Sequence, residues 1–171
     1  FLSIFIPLIS YLFCVIFKSY LSGKQISLIS CSLLSIATIL SLISFYFFHI
    51  NGDSVVLISN WISSGSFSVD WSLNFNLLSC SMVLMVNFVS TLIHIYSVGY
   101  MNKDPKRSTF MGYLGLFTFF MLLLVSSNNL LQLFLGWEGV GLTSYLLIGF
   151  WNYKNSANDA AIKAFVVNRI G

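Results

Sequence analysis

The chain is expected to be an all-α integral membrane protein. It should have about six transmembrane helices, the last cut short, and a small interfacial β-hairpin between the second and third. Three observations predict this. Of 171 residues, 57% are hydrophobic and only 8% charged, where soluble proteins average about 25% charged. The apolar runs are long enough to cross a hydrocarbon core of about 30 Å. Basic residues fall in alternate loops only, as the positive-inside rule requires of a multi-pass protein. A soluble core of this length would instead show polar faces at the helical period, and they are missing. Residues 1–171 are read as one membrane domain.

Residues 1–17 form the first expected span. Pro7 is tolerated there because neighbouring groups can satisfy the freed carbonyl. The stretch has neither a preceding basic region nor a small-residue cleavage site, so it reads as a span and not a signal peptide. Residues 18–25 form a polar loop. Residues 26–50 form the second span, long enough to tilt, with Ser27, Ser30 and Ser35 giving it a face suited to close packing. In the next loop, Val55, Val56 and Ile58 make a β-branched run and Ser63, Ser64 and Gly65 supply turn chemistry. From Ser66 to Leu73 the sequence alternates, with Phe67, Val69, Trp71 and Leu73 on one side and Ser66, Ser68, Asp70 and Ser72 on the other. That pattern predicts a hairpin with one buried face.

Further spans are predicted at 79–97, 109–125 and 130–151, with a sixth helix from 159 to the end at 171. Residues 98–108 are a loop turned by Asp104-Pro105, residues 126–129 a tight connection, and residues 152–158 a loop. The loops after spans one, three and five carry Lys18, Lys24, Lys103, Lys106, Arg107 and Lys154, while the loops after spans two and four carry no Lys or Arg. The basic loops are therefore expected on the cytoplasmic side, or the matrix side in a mitochondrion, with the hairpin opposite. The chain opens on Phe1 and closes on Gly171 inside a helix, so it is expected to be a piece of a longer subunit.

Several chemistries have no signal. There is no nucleotide-binding loop, haem attachment motif, metal-ligand cluster or nucleophile triad, and no basic run that would suit nucleic acid. Cys14, Cys31 and Cys80 are far apart and apolar in context, which reads as buried free thiols.

The candidate residues are the ionisable ones inside spans. Glu138 lies eight residues into LLQLFLGWEGVGLTSYLLIGFW, about 12 Å deep at 1.5 Å per residue. A carboxylate there costs at least a few kcal/mol, so it marks either a proton or ion relay or a structural ion pair. Burial disfavours its charge and a cation favours it, the competition a relay needs. No other charge lies in its span, so its partner must come from another helix. Gly136, Gly139 and Gly141 would let such a helix approach closely. On the sixth helix, Lys163 reads equally as a snorkelling anchor or a relay. Arg169, deeper, reads as a fixed charge that holds a carboxylate. His94, near a span end, is read as interfacial or on a proton path, and His49 as interfacial. Trp137 falls at mid-span and is expected to pack, whereas Trp151, Tyr96, Tyr100 and Tyr153 suit an interfacial belt.

The stretches LVSSNNLLQLFLGWEGVGLTSYLLIGFW and AAIKAFVVNRIG resemble subunit 5 of NADH-ubiquinone oxidoreductase, the antiporter-like, proton-pumping subunit family of respiratory complex I. The resemblance extends upstream through STLIHIYSVGYMNKDPKRSTFMGYLGLFTFFMLLLV and more weakly through WISSGSFSVDWSLNFNLLS. It implies that Glu138 matches the essential glutamate of the fifth span, Lys163 and Arg169 the basic residues of the sixth, and His94 the histidine of the third. It implies no cofactor in this chain, with NADH, FMN, iron–sulfur clusters and ubiquinone bound by other subunits. The implied partners are other complex I membrane subunits, especially subunit 4, and the lipid bilayer. Asn76 stands where relatives usually carry Asp. The family motif continues past NRIG to an Asp and further helices, among them the one bearing the partner lysine of Glu138, so a second chain carrying the rest of the subunit is implied. The alternatives are a large subunit of a multi-subunit cation/proton antiporter, or an assembly fragment in which Glu138 is only an ion pair. Abundant Phe, Ser, Ile and Asn with scarce Ala favour the mitochondrial inner membrane over a bacterial plasma membrane.

Overall fold

A computed structural model describes residues 2–65 and 67–171. The expectations for Ser66 and for the side chains of His49 and Phe67 lie outside the described residues. Six helices and one hairpin follow in order: α1 (Leu2–Phe17), α2 (Gly23–Asn51), β1 (Ser54–Ser64), β2 (Phe67–Phe75), α3 (Leu77–Tyr100), α4 (Arg107–Val125), α5 (Leu130–Ile148) and α6 (Asn155–Ile170). Four of them, α2 to α5, are long and apolar enough to cross a membrane. Helices α1 and α6 have 16 residues each, or about 24 Å at 1.5 Å per residue.

The helices begin where side chains can hold their free N–H groups. Ser22 and Gln25 form a reciprocal capping box that starts α2 three residues before the expected boundary. The Asn76 side chain accepts the Ser79 N–H at 2.7 Å, and that of Asn129 accepts the Gln132 N–H at 2.8 Å. Asn76 thus has a local task that its amide performs as an Asp would. Helix α5 stops at Ile148, short of the expected 151, because Gly149 and Phe150 turn back onto Tyr145 and Leu147 carbonyls.

Helix α4 is the hub and packs against α1, α2, α3 and α5, with α6 docked mainly on α5. Small residues set the approach. A methyl group on Gly115 of α4 would stand 3.1 Å from the Pro7 carbonyl of α1. Ser10 of α1 and Ser30 of α2 share a buried hydrogen bond of 2.7 Å, so the serine face of α2 packs as expected. Cys14, Cys31 and Cys80 are free, and Cys14 and Cys80 are buried.

The hairpin is antiparallel, with Ser54 opposite Phe75 and Ser64 opposite Phe67, and register shifts between Leu57 and Ser59 and between Asn60 and Ile62. Gly65 turns it with φ of 59°, a left-handed conformation that suits glycine. The expected alternation holds along Ser68, Val69, Asp70 and Trp71 and then fails, because Ser72 and Leu73 are both buried. The connection between α4 and α5 covers the second face. The Asn74 N–H donates to the Ser126 carbonyl at 2.9 Å, Asn128 Nδ2 to Ser72 Oγ at 3.0 Å, and Asn129 Nδ2 to the Asp70 carbonyl at 2.8 Å.

The hairpin and the α4–α5 connection therefore share one end of the bundle. At the other end, Trp151 Nε1 donates to Asp104 Oδ2 at 3.2 Å, and a cavity of about 760 Å³ is lined by Lys18, Lys106 and Asn152 among others. The lysine-bearing loops thus meet at one end and the loops without Lys or Arg at the other, as the loop charges predicted. Arg107 is a correction. Read as a loop residue, it is the first residue of α4 and is buried.

Candidate functional site

Helices α5 and α6 run antiparallel about the turn at 149–154. Their facing side chains meet along the shared length. The Tyr145 and Phe165 rings lie 5.6 Å apart, and a methyl group on Gly149 would rest 3.4 Å from Ala161 Cβ. The glycines around Glu138 take two different neighbours. A methyl on Gly136 would meet the Leu124 backbone of α4 at 2.8 Å, one on Gly139 would strike the Phe120 ring of α4, and one on Gly141 would strike the Asn168 side chain of α6. The close approach expected at these glycines is therefore made from both sides.

The same antiparallel arrangement delivers Arg169 to Glu138. Arg169 Nη1 forms an ion pair with Glu138 Oε2, the Glu138 side chain being 20% exposed and that of Arg169 47%. The guanidinium also stacks on Phe165, 4.8 Å from the ring centroid. Trp137, expected to pack at mid-span, stays 43% exposed. Its Nε1 donates to the Asn168 carbonyl at 3.4 Å, which fixes the end of α6 over the pair. Glu138, Arg169, Trp137, Phe134 and Gly171 border an open cavity of about 490 Å³.

Lys163 is exposed on α6, and among the described residues it forms no ion pair. His94 is elsewhere. It is fully buried on α3, and its Nδ1 lies 2.9 Å from the Ser90 carbonyl. A carbonyl only accepts, so Nδ1 carries the hydrogen. Among the described residues its Nε2 makes no hydrogen bond of good geometry, and the Met111 backbone is the group that faces the ring besides Ser90. Among the described residues no hydrogen bond or ion pair links His94 to Glu138.

A thread of buried polar side chains around His94 escaped the sequence reading. Ser90 Oγ and Thr118 Oγ1 share a hydrogen bond of 2.5 Å between α3 and α4. Thr38 and Thr91 share one of 2.8 Å between α2 and α3. Asn87 is fully buried, and both polar ends of its side chain lack a hydrogen-bond partner among the described residues. Asn87, Ser90, Thr91 and His94 recur at spacings of three and four, a stripe that would have drawn attention to this face.

A family model described as "NADH-Ubiquinone oxidoreductase (complex I), chain 5 N-terminus" matches residues 61–111. One described as "NADH:quinone oxidoreductase/Mrp antiporter, TM" matches residues 127–171. NADH-quinone oxidoreductase subunit L of Rickettsia bellii is 48% identical over 98% of this chain. This chain belongs to the complex I chain 5 family. NADH-ubiquinone oxidoreductase chain 5 of Triticum aestivum is 46% identical over 99% of the chain, and that of Chondrus crispus 43% over 99%. The chain spans 26% of the length of each of these three family members. The second family model includes Glu138, Lys163 and Arg169, and the first includes His94. Within the described residues, no group of three or more His, Cys, Asp or Glu could hold a metal ion.

Proposed function

We propose that this chain forms part of the proton-translocating membrane arm of complex I, in which Glu138 and its cation act on proton transfer. The observation that carries this is the Glu138–Arg169 ion pair, whose carboxylate stands on the apolar, membrane-length helix α5 and borders a cavity. Intramembrane carboxylates are rare, face bundle interiors or water-filled cavities and mark ion or proton routes. Arg169 cannot give up its proton, so it acts as a fixed charge. Movement of a cation toward and away from Glu138 would switch the carboxylate between compensated and uncompensated states, which is the exchange a relay uses. A lysine of the continuing chain would be the moving cation. His94 and the polar thread around it supply a second buried ionisable group, and Lys163 would anchor α6 or extend the route.

The chain itself is a non-redox component. Electron transfer through NADH, FMN, iron–sulfur clusters and ubiquinone would belong to other subunits, and the neighbour in the membrane would be the antiporter-like subunit 4. The mitochondrial inner membrane is the proposed location, with the lysine-rich loops on the matrix side. The second family model also names the Mrp antiporter, so a cation/proton antiporter subunit is the second reading. Co-purification with flavin and iron–sulfur proteins separates the two. The test of function is Glu138→Gln in the assembled complex. Severe loss of proton translocation coupled to NADH oxidation is expected, and normal coupled activity would overturn the proposal.

A further inference from the structure

Arg107 is only 4% exposed at the end of the bundle where the lysine-bearing loops meet. Its Nε donates to Ser27 Oγ at 2.6 Å and its Nη1 to Asn102 Oδ1 at 3.2 Å. Both acceptors are neutral. The chain has five acidic residues, Asp53, Asp70, Asp104, Glu138 and Asp159, and among the described residues none forms an ion pair with Arg107. The carboxylate nearest in sequence, Asp104, is engaged elsewhere. Its Oδ1 accepts the Lys106 N–H at 2.8 Å, and its Oδ2 accepts from Trp151. Nor does the backbone neutralise the guanidinium. Arg107 is the first residue of α4, where the helix dipole disfavours a cation. A buried guanidinium without a counter-charge is costly, and its five donors prefer a planar or tetrahedral oxyanion.

Beside it is a notch of about 270 Å³ lined by Lys24, Leu28, Val98, Gly99, Asn102 and Arg107. Lys24 adds a second cation and no carboxylate lines the notch. Asn102 gives its Oδ1 to Arg107, which leaves Nδ2 as a donor. The notch lies where α2 begins, α3 ends and α4 begins, which is the level of lipid head groups. Leu28, one helical turn further into α2, is 62% exposed and gives the notch an apolar wall that continues into the span.

We propose that this notch binds the phosphate of an anionic membrane phospholipid, held by Arg107, Lys24 and Asn102, with an acyl chain lying along Leu28. Two cations around one phosphate, next to an outward apolar wall, suit a lipid better than a free ion, because lysine and arginine near a membrane surface attract anionic head groups. The proposal is independent of any role for Glu138.

The test uses the full-length chain in its assembled complex, reconstituted in nanodiscs of phosphatidylcholine containing a photoactivatable phosphatidylglycerol. Crosslinks are mapped on segments 23–31 and 96–107. Phosphatidylglycerol should label these segments, and Lys24→Gln should lower the yield about fivefold. A photoactivatable phosphatidylcholine should label them weakly and equally in both proteins, and inorganic phosphate should not compete. Arg107→Lys keeps the charge and loses the fork, and it too should lower the yield. Lys24 is exposed, so Lys24→Gln reads the site without disturbing the core. Equal labelling of wild type and Lys24→Gln, equal labelling by the two lipids, or displacement by inorganic phosphate would each overturn the proposal.

Discussion

Arg169 of α6 is held between the Glu138 carboxylate of α5 and the Phe165 ring of its own helix. The arginine therefore has a fixed position on one side and a charge partner on the other. Arg169→Lys should weaken the pair more than its conserved charge suggests, because an ammonium can neither stack in the same plane nor present a rigid fork. We expect reduced coupled turnover with normal assembly, measured as proton translocation against NADH oxidation. Unchanged turnover would mean that only the charge at residue 169 matters.

The glycines of α5 should differ in what they tolerate. Gly136→Ala presses a methyl group on the Leu124 backbone, which cannot swing away, and a cost of about 1–3 kcal/mol is expected for such overpacking. Gly141→Ala meets the Asn168 side chain and no backbone, and that side chain can rotate, so a smaller cost is expected. Thermal unfolding of the full-length subunit in micelles measures both. A larger loss at Gly141 than at Gly136 would contradict this packing.

Asn76 caps α3 through Ser79. Asn76→Asp keeps an acceptor of the same shape and should leave stability and activity nearly unchanged, whereas Asn76→Ala should cost about 1 kcal/mol. A large gain in turnover on Asn76→Asp would show instead that a carboxylate at this position has a task beyond the cap.

The polar thread around His94 is testable by a double-mutant cycle on Ser90 and Thr118, with Ala and Val as replacements. Interhelical hydrogen bonds in membranes average about 0.6 kcal/mol and reach about 1.7, and the 2.5 Å contact should fall in the upper part of that range. No coupling between the two positions would place the hydroxyls apart in the functioning protein.

Much of this fold is legible in the sequence because membrane constraints are simple. Apolar runs set the helices, loop lysines set their direction, and the alternation around Val69 and Trp71 sets the hairpin. What escaped the sequence depends on distant contacts. Arg107 reads as a loop residue because nothing local reveals that Ser27 of α2 receives it. The alternation broke at Ser72 because Asn128, far along the chain, covers that serine. For Glu138 the glycines announce a neighbouring helix, and Arg169, read as a fixed charge that holds a carboxylate, is the cation that helix brings. Its place follows once α5 and α6 are seen to be antiparallel about the turn at 149–154, which brings the end of α6 back against the middle of α5. Lys163 and Arg169 differ in the sequence by depth and by chemistry, and the register of α6 against α5 adds that Arg169 is the one that reaches Glu138.

The central claim is that Glu138 acts in proton transfer and is not merely the anionic half of a structural lock. A charge exchange tests it most directly. Glu138→Arg combined with Arg169→Glu keeps an ion pair between α5 and α6 and moves the carboxylate to the other helix. Proton translocation per NADH oxidised would be measured in proteoliposomes of the assembled complex, beside the two single variants. The account predicts that the double variant assembles better than either single one and still fails to translocate protons. Restored translocation in the double variant would contradict it and reduce Glu138 and Arg169 to a structural pair.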